Sequence, residues 1–177
     1  MSRLSAQVCG SFLIAAMAGL GSQAFAQRGP AGGGFWLGAD GGYGRMALTN
    51  CASCEPGGVG FGSIRLGGRV GSRLLVGAEM GVAGPSSELP STAVVLGTVS
   101  LYPLAVSSAH LRLGVGALGR GSHSNVDGLV LIALMAGVGY DVRVSSGMSV
   151  VPSISWIAAP GGYSTNILRA GVGITFH

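Results

Sequence analysis

The chain has 177 residues, of which only 9% are charged and 34 are glycine; its formal net charge is +4, and every basic side chain is an arginine. An ordinary soluble domain carries roughly 25% charge, so this composition argues against one, and the length suits a single domain. No arginine run or aromatic-interleaved basic patch accompanies the positive balance, which leaves no nucleic-acid footprint.

In chain order, residues 1–26 read as a secretory signal peptide. Arg3 supplies the positive start, "VCGSFLIAAMAGL" the apolar stretch, and "AFA" before Gln27 a small-x-small cleavage site. Gly10, Ser11 and Gly19 interrupt the apolar run, which falls short of the ~20 residues of a spanning helix. Cys9 lies at the start of that run and not directly after it, so it is no lipid anchor and leaves with the signal. Residues 27–177 then form one domain. Its longest apolar run, "GLVLIALMAGVGY" at 128–140, is closed off by Asp141 and Arg143 and is also too short to span as a helix. A membrane-like composition without a spanning helix leaves one way to satisfy a backbone in lipid, the closed β-barrel.

The sequence predicts eight strands, near 34–45, 58–70, 74–84, 91–102, 109–120, 128–143, 148–158 and 166–176. The first, third, fifth and seventh connections are richest in turn residues, whereas "GSR" and "SSG" are tight, which is the alternation of long outer loops and short periplasmic turns. A lipid-facing arginine costs ~2–4 kcal/mol at mid-bilayer, so charged positions must point inward. Arg65 shares its face with Ser63 and Gly67, Glu79 with Gly77 and Gly81, and Arg112 with His110, Gly114 and Gly116. Likewise Asp141 goes with Gly137 and Gly139, and Arg169 with Gly171, Gly173 and Thr175, while Asp40 opposes the face of Leu37, Ala39 and Tyr43.

The fold class expected is all-β, an eight-stranded antiparallel up-and-down transmembrane β-barrel. Its interior is only wide enough to be filled by side chains, which explains why glycines accompany each large inward residue. Asp40, Glu79 and Asp141 balance Arg65, Arg112 and Arg169, giving a charge-paired plug and no open pore. Asp141 and Arg169 have a plainer alternative, solvation near strand ends. Pro152 has no N–H to donate, so the seventh strand is expected to carry a bulge there or to start later. The fourth strand has no charge, and its two faces stay undetermined.

The whole domain resembles the small OmpA-type and OmpX-type outer-membrane barrels of Gram-negative bacteria. The sharpest local feature is "RAGVGITFH". Barrels of this class commonly finish with a polar residue, a glycine and alternating hydrophobics ending in an aromatic, which the assembly machinery reads. Arg169, Gly171, Ile174 and Phe176 fill those places, with His177 making the aromatic penultimate. The resemblance implies a monomer in the outer membrane, reached by export to the periplasm. Its partners would be outer-membrane lipids, the barrel assembly machinery and an unidentified extracellular partner met by the outer loops; the role implied is structural, adhesive or protective.

Some small outer-membrane barrels are lipid A deacylases or acyltransferases, which makes a lipid-modifying enzyme the alternative. His123 with Ser122 or Ser124, near Asp127, is the one arrangement in the outer loops that suits a base and nucleophile, and ordinary loop polarity explains it as well. A lipocalin-like carrier is a third reading, and inward charges oppose it. "GLGRGSHS" lacks the lysine and following helix of a phosphate loop. No catalytic residue, cofactor or metal is assigned.

Cys51 and Cys54 fall in the first outer loop, an oxidising space if the chain is exported, so a disulfide staple is favoured there over redox-active thiols or a metal site. Protein purified without reductant should therefore resist alkylation at both thiols. Reduction should leave its unfolding midpoint nearly unchanged, because so short a loop closes little chain entropy. Complete labelling of both thiols by iodoacetamide before reduction would exclude the bridge.

Overall fold

Alternation of large apolar and small or polar residues runs through almost every segment of the domain, and the backbone follows it as strand. The computed structural model describes residues 34–49, 55–84, 91–103, 108–121, 129–161 and 164–177. The expected signal peptide, both loop cysteines and the Ser122–His123–Ser124 group with Asp127 lie outside them.

The elements are β1 (Phe35–Leu48), β2 (Gly57–Val70), β3 (Leu74–Ala83), β4 (Thr92–Leu101), β5 (Ala109–Arg120), β6 (Leu129–Tyr140), β7 (Val142–Ser145), β8 (Met148–Ala159) and β9 (Thr165–Phe176). Each pairs antiparallel with its neighbour in the chain, except that both β6 and β7 pair with β8. β6 and β7 are therefore two parts of one stave. β1 pairs with β9 as well as β2, which closes an eight-stranded barrel. The cross-strand register runs Gly139, Ser153, Gly171, Gly42, Phe61, Ala83, Thr92, Arg120 and back to β6 at Leu129, a stagger of ten residues. With ordinary strand spacings that stagger tilts the strands by about 40° to the barrel axis.

The faces divide as the charges require. Ile64, Leu66, Met80, Leu113, Val115, Ile132, Leu134, Val172 and Ile174 are exposed, while Arg65, Glu79, Arg112 and Arg169 are buried. The outer surface is thus an apolar band. Phe35, Tyr140 and Phe176 stand on it near the end that carries the short turns, and Tyr43 and Trp156 nearer the end that carries the long loops. The face assignment of β4 is now settled, with Thr92, Val94, Leu96, Thr98 and Ser100 inside and Val95, Val99 and Leu101 outside.

Inside, Trp36 lies over the facing pair Gly67 and Gly77, where added Cβ atoms would come within 2.9 and 2.8 Å of its Cζ2. Only glycine leaves space for the indole there. At the β2–β3 turn Gly71 has φ 79°, a left-handed conformation that glycine adopts without strain.

Pro152 departs from expectation. It sits within β8, opposite Val172 of β9, and neither delays that strand nor bulges it. The accommodation is made by the neighbour: pairing to β8 stops at Gly139 with Ser153 and resumes at Val142 with Val150. The ladder lapses opposite Pro152 and Val151, and so the missing donor meets no waiting acceptor. The register shift lies further on, between Arg143 and Ser145 beside the turn.

Leu113 is exposed on β5, with its side chain on the apolar band. Leu113→Arg is expected to lower stability by ~2–4 kcal/mol, measured as a shift in the urea midpoint of protein folded into lipid vesicles. An unchanged midpoint would mean that this face does not meet lipid.

Candidate functional site

The lumen collects every charged side chain that the sequence placed inside, and its chemistry is set by which strands bring them to one level. Asp40 of β1 accepts from Ser63 Oγ, lies 3.0 Å from Arg65 Nε, and is 3.9 Å from Arg112 Nη1. The same Nη1 is 3.6 Å from Glu79 Oε2. Glu79 is fully buried and also accepts from Arg169 Nη2. Arg169 donates through Nε to Ser155 Oγ at 2.7 Å and rests with its guanidinium carbon 5.0 Å from the centre of the Phe61 ring. Arg65, Asp40, Arg112, Glu79 and Arg169 thereby form one chain of alternating charge drawn from five strands. Arg112 touches both carboxylates beyond hydrogen-bond distance, so it acts as a point charge between them.

Asp141 stands apart from this chain. Its expected arginine partner is replaced by Tyr102, whose hydroxyl donates to Oδ2 at 2.5 Å, and by His110, whose Nδ1 is 3.7 Å from the same oxygen. The rings of Tyr102 and His110 are 5.2 Å apart. The reason is axial position: Asp141 follows β6 near the turns, where Tyr102 also projects inward, while the arginines lie further along the barrel. Asp141 and Arg169 are both buried, so neither is a solvated strand-end charge.

Above the charges, towards the long loops, the lumen becomes apolar. Met46, Val59, Leu96, Leu118, Met135, Ile157 and Ile167 pack together there, with Phe61 and Leu131 against them. A void of about 10 Å³ touches Phe61, Val94, Ile157, Ile167 and Arg169, room for one water at most. Near the turns, Trp36, Leu75 and Tyr102 form a smaller cluster. The interior is therefore layered. The apolar layer and the tyrosine partner of Asp141 both lie on the inward parity of their strands, but nothing in the sequence analysis singled them out. Of the assembly-signal residues, Arg169 and Gly171 point inward and Ile174 and Phe176 outward. Among the described residues, no three His, Cys, Asp or Glu side chains converge as metal ligands.

No protein-family model and no curated protein sequence matches the chain. Solved structures do. The barrel is similar to Neisserial surface protein A, with a TM-score of 0.61 at 12% identity over 80% of this chain and 96% of that one. It is also similar to Ail, the attachment invasion locus protein of Yersinia pestis, with a TM-score of 0.54 at 12% identity over 82% of this chain and 100% of that one. The chain has the fold of small outer-membrane β-barrels.

Because Arg112 lies between two buried carboxylates, Arg112→Leu should weaken the hold on both, at less than the ~3–5 kcal/mol of a buried charge left uncompensated, since Asp40 keeps Arg65 and Glu79 keeps Arg169. Arg65→Leu should cost less, since Asp40 keeps Ser63 and Arg112. Urea midpoints of the two variants in the same detergent decide the order, and equal midpoints for Arg112→Leu and the parent would remove the network from the stability of the barrel.

Proposed function

We propose that this protein is an outer-membrane barrel that conducts nothing through its centre and acts through its loop surface, in a structural, adhesive or protective role. The observation that carries this reading is the filled lumen, where a chain of paired charges is backed by an apolar layer. The apolar outer band supplies the surface that hydrocarbon requires, and every strand finds both neighbours in a closed ring. Short turns at 71–73 and 146–147 suit the periplasmic side. The connections at 49–56, 84–91, 121–128 and 160–164 then face outward as the working surface. An adhesive role is in keeping with the attachment named for Ail.

In planar bilayers the pure protein is expected to give no steady ion conductance above that of the lipid. Stable unitary steps would overturn the closed-lumen reading. Incubated with lipid A and phospholipid, it should release no acyl chain detectable by mass spectrometry. Release that disappears in His123→Ala would put a lipid-modifying enzyme in place of this proposal, because loss of a general base costs 10²–10⁴-fold in rate.

A further inference from the structure

Arg45 breaks the pattern that the rest of the barrel keeps. Among the described strand residues it is the one charged side chain on the outward parity: Gly44 and Met46 on either side of it are buried, while Tyr43 and Arg45 are exposed. No hydrogen bond or ion pair among the described residues engages its guanidinium. An arginine that faces hydrocarbon is costly at mid-bilayer and nearly without cost at the interface, so its height decides whether it is tolerated. Phe35 stands on the same face at the turn end, ten residues earlier in β1. On strands tilted by about 40°, ten residues rise ~26 Å along the axis, close to the ~25 Å height of an apolar band. Arg45 therefore sits at the loop-end edge of the band, at the depth of headgroup phosphates.

Its neighbours suit such a group. Arg45 pairs with Gly58 of β2 and Leu168 of β9, and Tyr43 pairs with Gly60. The Tyr43 ring leans along the ladder, since a Cβ on Gly58 would collide with its hydroxyl. That hydroxyl thus takes the place of the side chain that Gly58 lacks, directly across from Arg45, where facing groups lie about 5 Å apart. From there a hydroxyl and a guanidinium reach the same oxyanion, and the guanidinium fork matches a phosphate. On the other side, Leu168 pairs with Trp156 of β8, which puts an exposed indole in the same row, about 10 Å from Arg45 at ordinary strand spacing. Towards the turns, Ile154, Val172 and Ile174 are exposed. A sugar phosphate tethered to acyl chains meets all of these at once, with its phosphate at Arg45 and Tyr43, its ring on the indole and its chains on the band. A free phosphate gains the charge alone, and a phosphodiester headgroup brings no sugar ring to the indole. We infer that Arg45 and Tyr43, together with Trp156, bind the sugar phosphate of lipid A on the outer face of the barrel at its loop end.

This inference rests on the membrane reading above, and its test separates the two. Full-length protein folded in detergent receives equal amounts of lipid A and of the same lipid stripped of its phosphates, and retained lipid is counted by native mass spectrometry. A preference for the phosphorylated form of at least about fivefold is expected, since one interfacial arginine contributes about that factor at low ionic strength. Arg45→Gln should bring the two forms near parity. Arg45→Lys should keep part of the preference, as a point charge without the fork, and Tyr43→Phe should lower it without abolishing it. Arg73→Gln, in the turn at the opposite end, should leave it intact. Heat-modifiable gel mobility checks that every variant is a folded barrel; a parent that lacks it would count against the membrane reading itself. A folded parent with no preference, or an Arg45→Gln protein that keeps it, overturns the site. Phosphatidylglycerol retained as strongly as lipid A would overturn the assignment to a sugar phosphate. Loss of the preference in millimolar inorganic phosphate would do the same, by assigning Arg45 to a soluble anion.

Discussion

A peptide group surrounded by hydrocarbon has no water to bond, and that single constraint organises this molecule. It forces each strand to find a partner on both sides, so β1 must meet β9 as well as β2. Closing a two-faced sheet adds a second condition. The stagger accumulated around the ring must be even, because an odd one would bring an inward residue back to an outward position. Ten residues satisfies it. Binary patterning, the apolar band and the collection of charges in the centre all depend on this closure.

Eight strands leave little room inside, and the composition is the answer to that shortage. Trp36 occupies space that Gly67 and Gly77 vacate, and Arg169 lies over Phe61 while its guanidinium reaches Glu79. The buried charges are costly to desolvate, and ion pairs that reach between staves offset part of that cost. A network of this kind ties the strands across the barrel, where the backbone ladder ties only neighbours. It also couples the charges to one another, since removing one cation leaves its acid to depend on a second arginine from another stave.

Much of this was legible in the sequence because the parity of a charge is a local property. Arg65, Glu79, Arg112, Asp141, Arg169 and Asp40 each assigned a face to their own strand, and each of those faces is the one observed. Strand boundaries followed to within a few residues, the largest difference being the extension of β1 to Leu48. What parity cannot supply is stagger. Which inward residues meet across the lumen depends on the axial offset between staves, so the pairing of Asp141 with Tyr102 was hidden although both residues were in view. β4 stayed ambiguous for a related reason: its threonines and serine are weak markers beside the arginines and acids of the other strands. The effect of Pro152 was misjudged because a missing donor can be absorbed by a lapse in the adjacent strand as well as by a bulge in its own.

For the closed lumen proposed above, the layering has a consequence for how such a cylinder would resist passage. Salt bridges are rearrangeable, and side chains that swing aside could wet the level of Asp40 and Glu79. The level above it, from Met46 to Leu118 and Ile167, is lined mainly by apolar side chains, with the hydroxyls of Thr92 and Thr165 at its edge. Liquid in so narrow an apolar throat is unstable and withdraws from it. The two levels stand in series and respond to different influences, one to charge and the other to the surface energy of water, so no single rearrangement of side chains would breach both.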